Sequence, residues 1–207
     1  DAFPTQPSQW IDSDNDGFGD NLDGFEPDHC PYRRGYSNLD RFGCLDSDGD
    51  GWSDADPGGL DGVEPWFAHP NGSADAFPFT PSQWNDTDED GFGDNWADGS
   101  WNDTRMNWSI GVWYANASQP DACPFVTGFS VEDRFGCPDA DNDGWSDPDS
   151  NWTASNGADA FPENPTQWSD RDNDGWGDNQ SEGALQVDDF PDNPTQWLDT
   201  DGDGWGD

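Results

Sequence analysis

The sequence contains no lysine, only six arginines and no run of about 20 apolar residues. Without such a run we expect no membrane-spanning helix in this segment. The few arginines form no basic patch, so we do not expect nucleic acid as a partner. Leu, Ile, Val and Phe together make up only about 13% of the chain. A highly charged chain with so small a share of these residues is expected to be disordered.

Carboxylates are what the chain has in excess, since 46 Asp and Glu side chains give a formal net charge of −40. Self-repulsion of that size opposes any compact state. The 14 Trp and 13 Phe residues are unusual for a disordered chain and need a place to pack. We therefore expect a chain that folds only when multivalent cations neutralise its carboxylates.

A repeated pattern accounts for most of the sequence. Four segments are nearly alike, and the first of them reads DAFPTQPSQWIDSDNDGFGDN. Two variants begin with DHCP and DACP, and they have cysteine where the others have phenylalanine. All six share Asp-x-(Phe or Cys)-Pro, a spacer, and then Asp-x-Asp-x-Asp-Gly-aromatic-(Gly or Ser)-Asp. We number them repeats 1 to 6, each with its following insert, as residues 1–27, 28–74, 75–120, 121–158, 159–187 and 188–207.

The inserts between repeats, notably 55–74, 95–120 and 148–158, show no helical or strand periodicity. We expect loops there, with short strand pairing around Trp108 to Tyr114. Each Pro-x-Gln-Trp spacer is expected to form one helical turn, because Pro suits a first helical position. The predicted fold is mostly irregular coil, an elongated tandem array of calcium-wrapped Asp-rich loops with little regular secondary structure.

Each acidic loop has the composition of a calcium site. Numbered from its first aspartate, a loop carries carboxylates at positions 1, 3, 5 and 9, glycine at 6 and an aromatic residue at 7. Alternate carboxylates aim several oxygens at one centre, glycine permits the sharp turn, and the position-7 carbonyl can become a ligand. Hard oxygen ligands without His or Cys favour calcium or magnesium, and the many carboxylates favour the larger calcium ion. The candidate loop ligands are Asp12, Asp14, Asp16, Phe18 and Asp20; Asp46, Asp48, Asp50, Trp52 and Asp54; Asp86, Asp88, Asp90, Phe92 and Asp94; Asp139, Asp141, Asp143, Trp145 and Asp147; Asp170, Asp172, Asp174, Trp176 and Asp178; and Asp199, Asp201, Asp203, Trp205 and Asp207.

The loops differ from EF-hand loops at position 12, where an EF-hand has a bidentate Glu. Position 12 is Asp23 in the first loop and a residue without a carboxylate in the next four: Pro57, Ala97, Ser150 and Ser181. We expect the missing oxygens to come in part from the leading aspartate of the next repeat, so that metal would join successive repeats. These leading aspartates are Asp28, Asp75, Asp121, Asp159 and Asp188.

The repeats, particularly CPDADNDGWSD and CLDSDGDGWSD, resemble thrombospondin type 3 repeats and their prokaryotic surface-protein relatives. The resemblance covers nearly the whole chain except the inserts. It implies an extracellular, calcium-wrapped and mostly irregular fold with roughly one to two Ca²⁺ ions per repeat. That family usually links cysteines between neighbouring repeats. The four repeats without cysteine depart from this feature.

The four cysteines replace two aromatic positions of the other repeats. Counted from the leading aspartate, Cys30 stands where repeat 1 has Phe3; counted back from the loop, Cys44 stands where it has Trp10. Since both positions change together, we predict the disulfides Cys30–Cys44 and Cys123–Cys137, which would place the protein outside the cytosol. Free thiols and the other two pairings of four cysteines are the alternatives. In the other repeats we expect Phe–Trp pairs such as Phe3–Trp10, with the loop aromatics covering the metal or packing between repeats.

Asn-x-Ser/Thr sequons occur seven times, whereas chance would give about two from this composition. Six of the seven fall in inserts or linkers, where a glycan can face water. We expect glycosylation, although polar inserts can also produce sequons by accident. The candidate sites are Asn71, Asn85, Asn102, Asn107, Asn116, Asn151 and Asn179.

No catalytic constellation is recognisable, and with two histidines and no phosphate-binding loop we expect no enzyme activity. The pattern favours an extracellular or cell-surface structural protein, a calcium-rigidified, glycosylated stalk, spacer or fibre segment. Joining a second copy after residue 207 gives GWGD-DAFP, close to the internal junctions, so self-association into a fibre or a longer array is a further expectation. The alternative is a calcium-dependent adhesion module that binds glycans or proteins through Trp-rich inserts. A weaker possibility is a stalk attached to a secreted enzyme.

Overall fold

The chain has almost no regular secondary structure. The computed structural model describes residues 1–59, 64–97, 105 and 109–207. Within these ranges the one regular element is a 3-10 helix, Ala154–Asn156, which ends at Gly157 in a left-handed conformation. Turns, bends and isolated bridges make up the rest. This confirms the predicted irregular fold with repeated acidic loops, and none of the described helices is long and apolar enough to cross a membrane.

Single β-bridges take the place of sheets. Three of them join position 8 of a loop to the residue just before the next leading aspartate: Gly19 with Pro27, Gly93 with Pro120, and Gly177 with Val187. The strand pairing expected around Trp108 to Tyr114 is a single bridge between Trp96 and Trp113, and Trp108 itself lies outside the described residues. Each of the three bridges at position 8 brings the end of one loop beside the end of the segment that leads to the next repeat.

The interior is polar rather than aliphatic. The buried apolar side chains of the described chain are small, namely alanines, disulfide cysteines and one proline: Cys44, Ala74, Ala122, Cys123, Pro124, Cys137 and Ala158. The buried polar residues are nearly three times as numerous and include Arg134, Gln83, Gln167 and several aspartates. Burial of apolar area therefore cannot hold this fold together in the usual way.

The Pro-x-Gln-Trp spacer and the residues before it form two consecutive turns instead of the expected helical turn. In repeat 5 the amide of Asn164 donates to the carbonyl of Phe161 at 2.8 Å, and the amide of Gln167 donates to the carbonyl of Asn164 at 2.9 Å. The other three Phe-containing repeats have the same two bonds. The second turn directs the glutamine side chain inward, and Gln167 is completely buried.

Aromatic rings connect successive repeats. The position-7 ring stacks on the tryptophan that precedes the next loop, with centroids 6.1 Å apart for Trp52 and Trp84 and 6.2 Å apart for Trp145 and Trp168. Trp176 and Trp197 stack in the same way at 6.1 Å, and Phe18 lies 5.8 Å from Phe42. This confirms that loop aromatics pack between repeats. In repeats 3, 5 and 6 these stacks replace the expected Phe–Trp pairs, because Trp84, Trp168 and Trp197 stack on the preceding repeat.

The chain divides into two compact bodies. The first comprises Asp1–Asp98 and Ser109–Pro120, and the second comprises Gly99–Trp108 and Asp121–Asp207. The division between Pro120 and Asp121 falls at the start of repeat 4.

Candidate metal centre

The first aspartate of each loop organises the turn around it. In loop 5, Oδ1 of Asp170 accepts a hydrogen bond from the amide of Asn173 at 2.7 Å, and Oδ2 accepts one from the amide of Gly175 at 2.9 Å. The equivalent pair of bonds occurs in the other five loops. At position 5, Oδ1 of Asp174 accepts from the amide of Trp176 at 2.9 Å, again as in every loop. The six loops therefore share one backbone conformation.

Two positions in each loop adopt left-handed backbone angles. The glycine at position 6 was expected to do so, and Gly17, for example, has a φ of 105°. Position 4 was not predicted, yet all six residues there have φ between 61° and 82°: Asn15, Gly49, Glu89, Asn142, Asn173 and Gly202. Asn and Gly, the residues that tolerate this region best, occupy five of the six positions, which is the signal that sequence reasoning missed.

The turn brings carboxylates together as predicted. Oxygens of the aspartates at positions 1, 3 and 5 lie within 4.8 Å of one another in the loops that begin at Asp12, Asp46, Asp86, Asp139 and Asp170. The loop that begins at Asp199 has the same turn hydrogen bonds. Each triad could hold a metal ion.

The aspartate at position 9 closes the loop. The amide of Asp54 donates to the carbonyl of Leu45 at 2.7 Å, and its carboxylate accepts from the amide and hydroxyl of Ser47. The same amide bond occurs in every loop, at Asp20, Asp94, Asp147, Asp178 and Asp207. Position 9 therefore holds the two ends of the loop together.

The leading aspartate of the next repeat is buried against the loop before it. Asp75 is 2% exposed, its amide donates to the carbonyl of Ser53 at 2.9 Å, and its Oδ1 accepts from the amide of Phe77 at 2.7 Å. The other oxygen, Oδ2, is buried without a hydrogen-bond partner. Asp28, Asp159 and Asp188 repeat this arrangement in full against loops 1, 4 and 5. Asp121 is equally buried, and its Oδ1 accepts from the amide of Cys123 at 2.7 Å.

The electrostatics of this arrangement favour a bound cation. Burial raises the pKa of Asp28, Asp75 and Asp159 to about 7, and the neighbouring loop carboxylates raise it as well. Burial and adjacent carboxylates also raise the pKa of Asp50 and Asp143 to about 6. Like charges held this close in a poorly solvated place ionise together only when an opposite charge offsets them.

The donor set fits a hard divalent cation. Buried carboxylate oxygens without a hydrogen-bond partner occur at positions 3 or 5 of loops 1, 2, 4 and 5, on Asp14, Asp48, Asp50, Asp141, Asp143, Asp172 and Asp174. Four leading aspartates, Asp28, Asp75, Asp159 and Asp188, add further oxygens of the same kind. An unpaired buried carboxylate oxygen is costly, so such clusters are expected to coordinate a metal. Oxygen donors of this type suit Ca²⁺ or Mg²⁺.

Asp23 is the predicted ligand that the structure places least favourably. Its side chain is exposed, and its amide donates to Oδ1 of Asn21. The position-7 residues have their amides held by position 5, and their side chains stack between repeats in loops 2, 4 and 5.

The buried glutamine of the spacer was not predicted as part of the site. Nε2 of Gln83 donates to the carbonyls of Asn95 and Ser118, at 2.9 and 2.8 Å, and its Oε1 accepts from the amide of Asn95 at 2.9 Å. Gln9 and Gln167 make the equivalent three bonds. These bonds hold in place the segment that leads from one loop to the next leading aspartate.

The Cys-containing repeats use a different support. Position 8 is serine there, and the amide and hydroxyl of Ser146 donate to the two carboxylate oxygens of Asp133, at 2.8 and 2.6 Å. Ser53 and Asp40 form the same pair. The Cys-containing repeats have serine at position 8 where the other repeats have glycine. This difference in sequence indicates that the support of the loop differs as well.

An arginine lies beneath a tryptophan of the insert in both Cys-containing repeats. Arg134 is almost fully buried, its guanidinium lies 5.7 Å from the ring centre of Trp152, and its Nη1 contacts Asp149 at 2.6 Å. Arg41 lies 4.8 Å from Trp66 in the same way. These contacts attach each insert to its repeat, a role that sequence reasoning did not assign.

Both predicted disulfides are present. Cys30 pairs with Cys44 and Cys123 pairs with Cys137, each across 14 residues, and no cysteine of the described chain is free. In the chain-entropy description, closing a loop of that length contributes about 3 kcal/mol.

The sequons differ in their surroundings. Asn71, Asn116 and Asn151 are exposed, and Asn85 is half-buried. The side chain of Asn179 donates to the carbonyl of Thr166 at 2.8 Å, as its counterparts in repeats 1 and 3 do with Ser8 and Ser82. Asn102 and Asn107 lie outside the described residues. No protein-family model matches the chain, and a search of curated proteins found no match.

Proposed function

We propose that this chain is an extracellular, calcium-binding structural protein, in which Ca²⁺ ions between successive repeats supply the cohesion that an apolar core normally gives. It serves as a non-catalytic stalk, spacer or fibre segment at a cell surface. The observation that carries the proposal is the buried, unpartnered carboxylate oxygen of Asp28, Asp75, Asp159 and Asp188, each placed against the acidic triad of the preceding loop.

Three further observations support the proposal. The net charge of −40 needs compensation before any compact form is stable. The two disulfides suit an oxidising compartment outside the cytosol. The repeats also resemble thrombospondin type 3 repeats, and that resemblance implies roughly one to two ions per repeat.

In this function the chain's own residues have separate tasks. The aspartates at positions 1, 3 and 5 with the leading aspartate of the next repeat would hold the ion. The amides that bond to position 1 shape the loop. The buried glutamines direct the linking segment so that the leading aspartate returns to the loop. A bound Ca²⁺ supplies positive charge and joins two repeats.

The test is the metal content of the purified chain, measured by mass spectrometry after equilibration with Ca²⁺ and removal of the free ion. We expect between six and about twelve ions per chain, on the basis of one to two per repeat. On the same samples, chelation with EDTA is expected to expand the scattering profile and to shift Trp fluorescence, because stacked indoles such as Trp145 and Trp168 would separate. A chain that binds no Ca²⁺, or keeps its compact form after chelation, would contradict the proposal.

A further inference from the structure

A cavity of about 540 Å³ lies between the insert of repeat 4 and loop 5, inside the second compact body. Its walls include Trp145, Ser155, Trp168, Asp170 and Asn173. Aromatic walls with a few polar groups, around a space of roughly 300–1,000 Å³, are the usual form of a small-molecule site.

The corresponding place in the first body is covered by the chain itself. At the junction of repeats 2 and 3, Nδ1 of His69 lies 3.0 Å from the carbonyl oxygen of Asp86 and 3.2 Å from its amide nitrogen. Nδ2 of Asn71 donates to Oε1 of Glu89 at 2.9 Å. Asp86 and Glu89 hold positions 1 and 4 of loop 3, so the insert of repeat 2 lies on these two positions of the next loop.

The same two positions of loop 5 line the cavity instead. The insert of repeat 4, residues 148–158, has 11 residues, whereas the insert of repeat 2, residues 55–74, has 20. Asp170 and Asn173 hold positions 1 and 4 of loop 5. Within the described part of the chain, the amide and carbonyl of Asp170 and the side chain of Asn173 have no hydrogen-bond partner. The shorter insert therefore leaves polar groups that its longer counterpart satisfies.

We propose that this cavity binds a neutral sugar, a pyranose unit of a glycan, and so adds an adhesive site that goes beyond the proposed structural function. A hydroxyl group both donates and accepts, so one sugar hydroxyl pairs with the carbonyl and the amide of Asp170, where His69 lies at Asp86. Trp145 and Trp168 lie parallel, with 2° between their ring planes. Their indoles offer apolar surface to the C–H face of the sugar ring.

Charge selects a neutral sugar over an anionic one. Asp170 and Asp178 line the cavity in a chain of net charge −40, so a carboxylated or sulfated sugar is repelled. Arg171 also lines the cavity, but its Nη1 is already paired with Asp192 at 3.0 Å.

A peptide segment is the other occupant suggested by the insert of repeat 2. A free peptide loses backbone and side-chain freedom when it binds, and this loss opposes binding. A pyranose is a rigid ring that presents an apolar face and polar edges together. The sugar therefore matches the aromatic wall and the polar groups of loop 5 at a smaller entropic cost.

The experiment is binding of the Ca²⁺-loaded chain to an array of short neutral, sialylated and sulfated oligosaccharides, followed by calorimetric titration with the neutral oligosaccharide that binds most strongly. Bound Ca²⁺ is measured on the same samples. We expect binding to neutral members of the array and none to the anionic members. The chain is used both with its own glycans and after their enzymatic removal. If removal increases binding, the cavity takes the chain's own glycans; if binding is equal, the glycan comes from another molecule.

Asn173→Gly is the variant that tests the site, and Asn142→Gly is its matched control. Both asparagines hold position 4 of a loop with φ near 63°, and loops 2 and 6 have glycine there, so the turn accepts either change. Asn142 does not line the cavity. Asn173→Gly is expected to weaken sugar binding about tenfold, the effect of one lost hydrogen bond, with no change in bound Ca²⁺. Asn142→Gly is expected to change neither.

The outcomes separate this proposal from the calcium function. A chain that binds Ca²⁺ but no neutral sugar overturns the proposal and leaves the calcium function standing. Sugar binding that Asn173→Gly does not change, or that Asn142→Gly weakens equally, also overturns it. Binding of the peptide Phe-Ala-His-Pro-Asn-Gly, the sequence of residues 67–72, in place of any sugar would identify a peptide site instead. A chain that binds no Ca²⁺ overturns the proposed function itself.

Discussion

A β-carbon placed on Gly177 would lie 2.0 Å from Oε1 of the buried Gln167. The same close approach occurs between Gly19 and Gln9 and between Gly93 and Gln83. Position 8 is therefore glycine in these repeats because the glutamine side chain occupies the space a larger residue would need. The pair fixes the path of the chain from the loop to the next leading aspartate.

Substitution of Gly177 by alanine is expected to destabilise the calcium-loaded protein by about 1–3 kcal/mol, the usual cost of overpacking. Denaturant unfolding in saturating Ca²⁺ measures the effect. Gly58→Ala is the matched control, since the nearest atom to its new β-carbon would be Oδ1 of Asp56 at 3.8 Å. If Gly177→Ala unfolds at the same denaturant concentration as the unsubstituted chain, the glutamine side chain does not restrict the size of the residue at position 8.

Removing one leading carboxylate is expected to weaken a single metal site. Asp75→Asn keeps an oxygen to accept from the amide of Phe77, but it replaces the unpartnered Oδ2 with an amide group. We expect Ca²⁺ at loop 2 to bind at least about tenfold more weakly, a loss typical of groups that support a metal site. Calorimetric titration measures the affinity.

The control for this change is Glu182→Gln, which removes the same charge from an exposed side chain. Equal stoichiometry and affinity for Asp75→Asn and the unsubstituted chain would mean that the leading aspartate is not a ligand. A similar loss in both variants would point to overall charge rather than to a specific oxygen.

The two arginine–aspartate pairs of the second body are expected to respond differently to substitution. Arg134→Ala removes a buried guanidinium that contacts Asp149, Ser146 and the Trp152 ring, so we expect a loss of about 3 kcal/mol. Arg171→Ala breaks an ion pair whose side chains are 62% and 79% exposed, and we expect no measurable change. Thermal unfolding of both variants in Ca²⁺ makes the comparison, and equal melting temperatures would contradict it.

Glycan occupancy is expected to follow the surroundings of each asparagine. Asn116 and Asn151 are exposed and are the sites at which we expect modification, whereas Nδ2 of the exposed Asn71 donates to Oε1 of Glu89 at 2.9 Å. Asn179 is expected to be unmodified, because its side chain bonds within the repeat as Asn21 and Asn95 do. Glycopeptide mapping of the protein from its natural source tests this order. A glycan at Asn179 alone, or an intact mass near the peptide value of 22.8 kDa, would contradict it.

The repeated pattern was sufficient to predict the acidic loops, because each needs only local residues at fixed spacing. Position 1 binds amides three and five residues away, so the turn around Asp170 is specified within its own loop. The disulfides were predictable for a related reason, since Cys30 and Cys44 replace an aromatic pair in aligned repeats. The absence of aliphatic periodicity also indicated that regular secondary structure would be sparse.

Other features required distant residues to meet. Trp84 was assigned to Phe77, but it stacks on Trp52 of the preceding repeat, 32 positions earlier in the sequence. The role of Gln83 depends on Asn95 and Ser118, and the insert that contains Ser118 has no pattern that indicates such a contact. Local spacing carries no information about these partners.

The sequence by itself determined the chemistry of this protein: six oxygen-rich loops, two covalent links and a charge that requires cations. These follow from residue type and short-range spacing, which are properties of a single segment. Only the tertiary structure decided which distant groups meet. The leading aspartate lies against the preceding loop and the position-7 ring stacks on a ring of the next repeat, while within a repeat the glutamine lies under position 8. The physical reason is that these contacts depend on how the linking segments fold back, and backbone hydrogen bonds and excluded volume control that path over tens of residues.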